Sequence, residues 1–245
     1  FSAEYVSNNP MTLLEANKGI RSLCYDLQQK KYKVLMNSPR TSFHVHSNML
    51  YRTPVQYWNS VVAYWLLEDL LFDYFEPERN GNCFCLRLTD AEGVLNFCFR
   101  ELRAEYPFRN LTTDNIRYAG QNLSSTARFG TVERRGMDGR IDPDRLQAWT
   151  TALATLDSKA LEFETPSSIL DSYFKEEGKE VVEKLVGRDF SQKILVGSWR
   201  DRLQESAATI EELAYFHDWK AWEEKLNKFA TDKVQTAWKF VIIIS

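Results

Sequence analysis

Two of the chain's three histidines stand one residue apart in Thr41-Ser42-Phe43-His44-Val45-His46. An extended strand there puts Ser42, His44 and His46 on one face and Phe43 and Val45 on the other. That spacing suits a shared metal or phosphate site, and it equally suits two satisfied polar side chains on a half-exposed face. A second cluster, Phe129-Gly130-Thr131-Val132-Glu133-Arg134-Arg135, sets Glu133 and Arg135 on one strand face and Arg134 on the other. A carboxylate beside a guanidinium is ordinarily an ion pair. Phosphoryl chemistry uses the same couple, with the carboxylate holding Mg2+ and the Arg fork neutralising charge on the transferring phosphate. A third cluster, Arg79-Asn80-Gly81-Asn82-Cys83-Phe84-Cys85, reads as a polar turn entering a short strand. Cys83-x-Cys85 lacks a second close pair, so with Cys24 and Cys98 it reads as free structural thiols.

The elements that must carry these residues are signalled locally. Residues 3–7 read as a strand end before the turn Asn8-Asn9-Pro10. Thr12 with Glu15 has the form of a capping box, opening a helix with Leu13, Ile20, Leu23 and Leu27 as its stripe. Thr53-Pro54 opens a helix ending near Phe75, with Trp58, Val61, Val62, Trp65, Leu66 and Leu70 along one face. A further helix is expected over 94–106, short strands over 117–123 and 128–135, and a helix after Asp142-Pro143 carrying Leu146, Trp149, Leu153 and Leu156. Beyond Thr165-Pro166 the sequence turns charged and helix-favouring, with segments over 168–186 and 210–240. Strands mixed with helices and no phosphate-binding Gly-rich loop imply an α+β fold.

Composition narrows the partners. A net charge of −3 without a basic block argues against a nucleic-acid partner. Residues 55–75 carry Glu68, Asp69 and Asp73, which makes them a buried helix and not a membrane span. The apolar tail 240–244 is too short to cross a bilayer and reads as a terminal strand or docking peg. With no secretory signal before the cysteines, a reducing, cytoplasmic setting is expected, the host cytoplasm if the chain is phage-encoded.

Taken in order, Glu4-Tyr5-Val6-Ser7, Phe43-His44-Val45-His46, Asn82-Cys83-Phe84-Cys85, Tyr118 to Asn122 and Gly130-Thr131-Val132-Glu133-x-Arg135 closely resemble the motifs of the amidoligase family. These are carboxylate–amine ligases of the glutamine synthetase and glutamate cysteine ligase superfamily. The Asp-Pro helix ending in Trp149 also looks like the family, and the match runs from Glu4 to Leu156. The resemblance implies a curved antiparallel sheet backed by helices, with substrates on its concave face. With the change of composition at Thr165, the chain divides into an amidoligase-like sheet-and-helix domain, 1–164, and a helical extension, 165–245. The implied reaction uses ATP and Mg2+: a carboxylate is phosphorylated, and an amine displaces phosphate from the acyl phosphate. The carboxylate would belong to a small molecule or peptide, and a homo-oligomer or assembly partner is compatible. Carried over residue by residue, Glu4, His44 and Glu133 would meet the metal. His46, Asn82, Arg79, Arg128 and Asn122 would bind nucleotide or substrate, and Arg135 with Glu133 would act in catalysis.

The resemblance has departures. Met137 stands where a second polar position is common, Phe84 replaces a usual Tyr, and the chain begins after the Glu-x-Glu strand that opens family members. The alternative is an inactive family member in binding or assembly, for instance as a phage structural component. An ATP-independent hydrolase using His44 and His46 ranks last, since no nucleophile pairs with them in a strand-turn-helix context.

Overall fold

Helix boundaries follow the capping chemistry. In the computed structural model, which describes residues 7, 10–29, 41–79, 81–104, 116–176 and 178–233, the Thr12 amide donates to Glu15 Oε2 at 2.8 Å. The Glu15 amide returns to Thr12 Oγ1 at 3.3 Å. The elements run α1 (Leu13–Gln29), β1 (Ser42–Asn48), α2 (Pro54–Phe75), α3 (Glu92–Arg103), β2 (Gln121–Asn122), α4 (Ser124–Phe129), β3 (Thr131–Asp138), α5 (Pro143–Lys159), α6 (Pro166–Lys175), α7 (Lys179–Val186), α8 (Arg188–Ile194), α9 (Trp199–Ala214) and α10 (Trp219–Lys233). The architecture is mixed helix and sheet. Thr53, Asp142 and Thr165 cap α2, α5 and α6 through their side chains, each followed by Pro in the first turn.

The centre of the molecule is α2. Eighteen of its 22 residues are buried, so the one-sided stripe expected for this helix is instead a core on every side. It packs against α5, α6, α8, α9 and α10, and it touches β2. One contiguous apolar cluster runs from Ile20 to Trp222, across Thr165 without a break. The segments after Thr165 are helical as expected. They pack on the sheet-and-helix domain, α6, α8, α9 and α10 against α2 and α7 against α5, because α2 and α5 present the apolar surface. Gly178 separates α6 from α7, so the segment 168–186 is a broken helix, and the described part of the segment 210–240, to Lys233, is divided between the end of α9 and α10.

The sheet is antiparallel in the order β1–β3–β2. Leu86 extends it by a parallel bridge beside Ala119, with the Leu86 amide donating to the Tyr118 carbonyl at 2.8 Å. Two strand expectations are corrected. Over 117–123 only Gln121–Asn122 is strand. Over 128–135 the chain is first helix, as α4, then strand, as β3. Gly130, at φ +66°, makes that switch possible as the left-handed residue ending α4. Residues 3–6 and the tail 240–244 lie outside the described residues. No helix among the described residues is long and apolar enough to cross a membrane.

On β3 the alternation divides two kinds of chemistry. Arg134 points at the helices with no exposed surface and meets Asp157 of α5 through two bonds, 3.0 and 2.7 Å. Its guanidinium also lies 5.4 Å from the Tyr64 ring centroid. Gly136, two residues on, lets the sheet approach closely: a Cβ there would stand 2.7 Å from the Phe72 ring.

Asp157→Ala leaves the Arg134 charge buried and unanswered, and is expected to cost about 3–5 kcal/mol in urea unfolding at neutral pH. Adding Arg134→Met to that variant should recover most of the loss.

Candidate functional site

The register of the sheet builds the site. His46 of β1 lies directly opposite Glu133 of β3, and Glu133 lies directly opposite Asn122 of β2. Residues directly opposite share a face, so the three side chains form one row across the strands. The adjacent row, Val45, Arg134 and Gln121, belongs to the helix-facing side. Between Phe43 and Val45 the register shifts, and there His44 turns its Nδ1 onto Glu133 Oε1 at 2.7 Å.

Glu133 collects donors on both oxygens. Oε1 receives His44 Nδ1, Arg135 Nη1 at 3.2 Å and, more distantly, His46 Nε2 at 3.8 Å. Oε2 accepts Asn122 Nδ2 at 2.6 Å. Asn122 is itself held, because its Oδ1 accepts from the Ser124 amide and hydroxyl at 2.9 and 2.6 Å. Burial alone would raise the carboxyl's pKa. The His44 hydrogen bond and the charges of Arg135 and the two imidazoles overcome it and hold Glu133 down to about 2. The His46 imidazole moves the other way from a cation: burial drives it below its ordinary range despite the Glu133 charge.

Two side chains not singled out from sequence support the histidines. Ser42 Oγ lies 2.6 Å from His44 Nε2, and Thr131 Oγ1 lies 3.0 Å from His46 Nδ1. Ser42 carried a signal, its place two residues before His44 on the same face. Thr131 carried none, since its partner is 85 residues away.

His44, His46, Asn122, Glu133 and Arg135 are thus brought together. Glu4 lies outside the described residues. Arg79, Asn82 and Arg128 stand outside the partners of Glu133. Arg79 is buried and donates to the Thr41 carbonyl at 3.0 Å and to Cys85 Sγ at 3.3 Å. The Asn82 side chain accepts from the Phe84 amide at 2.9 Å, shaping the turn. Arg128 sits in the last turn of α4, exposed, 5.2 Å from the Phe129 ring, which meets the His46 ring edge-on. All four cysteines are free thiols.

The donor set discriminates between the ligands expected from sequence. Mg2+ requires several hard oxygen ligands in octahedral array. The described residues offer one carboxylate here, already hydrogen-bonded on both oxygens, and nowhere among them do three or more His, Cys, Asp or Glu side chains form a metal-holding group. These residues do not by themselves fit Mg2+. An anionic oxygen fits better, because Arg135 Nε and His46 Nε2 are buried without a hydrogen-bond partner. Two cavities, of about 260 and 430 Å3, lie elsewhere, lined by residues 162–204.

Because Glu133 is held at a pKa of about 2 against an ordinary 4.5, its contribution to stability is full above pH 4.5 and disappears as pH falls toward 2. Glu133→Gln should therefore be less stable than the parent by something on the order of 2–3 kcal/mol at pH 6, with the gap closing between pH 4.5 and 2 in chemical denaturation. A gap that stays constant over that range would show that the carboxylate's charge is not what the cluster stabilises. No family model, no curated protein and no solved structure matches this chain.

Proposed function

We propose that the chain is an ATP-dependent carboxylate–amine ligase with a glutamine synthetase-like sheet, joining a small-molecule or peptide carboxylate to an amine. The observation that carries this reading is the row His46–Glu133–Asn122 with His44 and Arg135 added. Five residues from three motifs, up to 91 positions apart, meet on one sheet face. Joining two such substrates demands neutralisation of charge as the anionic carboxylate attacks the terminal phosphoryl group. Arg135 is suited to that role, since Nη1 is anchored on Glu133 while Nε has no partner, so the guanidinium is oriented and still has a donor to offer. In the second step the amine attacks the acyl phosphate, the C–N bond forms, the C–O bond to phosphate breaks, and a proton leaves the nitrogen. That proton passes to the departing phosphate, an oxygen of which the unpartnered His46 Nε2 would meet as a donor. Glu133 does not itself react here; it orients His44 and Arg135 through Oε1.

A second reading has one specific observation in its favour. Both Glu133 oxygens are engaged internally, as in a carboxylate that ties a sheet together in an inactive family member used for assembly.

The test follows ATP consumption stimulated by candidate carboxylates in magnesium buffer, with hydroxylamine present to trap an acyl phosphate as the hydroxamate. Arg135→Ala is expected to slow hydroxamate formation about 100-fold or more while the protein stays folded, and Glu133→Ala to weaken nucleotide binding. Absence of both ATP binding and hydroxamate in the parent protein favours the assembly reading.

A further inference from the structure

Three side chains of the cluster are connected in the sense that activates a nucleophile. Ser42 Oγ lies 2.6 Å from His44 Nε2, and on the other side of the ring His44 Nδ1 lies 2.7 Å from Glu133 Oε1. An ionised carboxylate only accepts, so the proton between His44 and Glu133 resides on Nδ1. Neutral imidazole then has its lone pair at Nε2, and the Ser42 hydroxyl is the donor to it. We propose that Ser42 is a covalent nucleophile, activated by His44 and Glu133, that cleaves carboxylic esters without ATP. This activity is separate from amide ligation, although it uses the same face of the sheet.

Three features favour a reactive serine over a passive hydrogen bond. The carboxylate at the far end is immobilised by Asn122 Nδ2 at 2.6 Å and Arg135 Nη1 at 3.2 Å, which fixes the imidazole's tautomer and angle. Ser42 is partly exposed and the His44 side chain is 23% exposed, so an ester can reach them. The buried Arg79 donates to the Thr41 carbonyl at 3.0 Å, which fixes the backbone immediately before Ser42 and so the direction of its hydroxyl.

The chemistry balances with water as the only co-reactant. Ser42 Oγ attacks the ester carbonyl, its proton passes to His44 Nε2, and the C–O bond to the alcohol breaks as His44 returns the proton to the leaving oxygen. Water then attacks the seryl ester, gives its proton to His44, and the acid departs while Ser42 Oγ is reprotonated.

The probe is a fluorophosphonate, applied to the full chain without nucleotide or magnesium and read by intact mass and peptide mapping, alongside hydrolysis of p-nitrophenyl acetate. Expected is one adduct, on Ser42, absent in Ser42→Ala, and at least about 100-fold slower labelling in His44→Ala. Added imidazole should restore labelling of His44→Ala, a rescue that a merely structural histidine would not show. No adduct, an adduct on another residue, or labelling indifferent to His44 overturns the proposal. Because ATP is omitted, the result is independent of whether ligase activity is found.

Discussion

A guanidinium with no exposed surface must have its charge answered inside the protein, and Asp157 answers that of Arg134 with two hydrogen bonds. That one pair settles which way β3 faces. With Arg134 committed to α5 and to the Tyr64 ring of α2, alternation leaves Glu133 and Arg135 on the opposite face, beside His44 and His46. A slip of one residue would exchange the two sets and turn Glu133 toward Asp157, one carboxylate against another. The close approach at Gly136 keeps the sheet against Phe72 and Trp149, so the inward face has little freedom to move.

Behind the sheet, α2 holds charged groups of its own. Glu68 is buried, its Oε2 accepting the Leu88 amide at 2.7 Å, and burial pushes its carboxyl up to about 8. Asp69, next to it, is paired with Arg87 at 2.9 Å. These bonds fasten the segment following the Asn82 turn to the central helix. Through Leu86 the same segment lies beside Ala119 at the end of the sheet. The strand that supplies Asn122 is therefore braced from α2 as well as from β3.

Much of this was legible locally. Thr12 with Glu15, Thr53 with Pro54 and Asp142 with Pro143 each mark a helix start that the structure has, because caps act within one turn. The split of Glu133 and Arg135 from Arg134 was legible for a similar reason, since a strand's period is fixed. Two things were not. Helix α4 hides inside a stretch rich in strand-like residues, and only the left-handed Gly130 separates the two conformations. The environment of α2 depends on helices up to 168 residues away, such as α10, whose Glu223 accepts the Val55 amide at 3.0 Å. No periodicity within α2 reports that. The pairing of Asn122 with Glu133 likewise required the register, which neither segment encodes alone.

The row His46–Glu133–Asn122 has a kinetic side. Its two outer strands are separated in sequence by α2 and α3, and the contact between His46 and Thr131 spans 85 residues. Local helices close early and cheaply, whereas a loop of that length must lose its freedom before its ends reward it. The chain can thus become largely helical while the row is still unmade. The row is complete only in molecules that have finished the slowest class of contact, which makes its hydrogen bonds a stricter measure of complete folding than helical content.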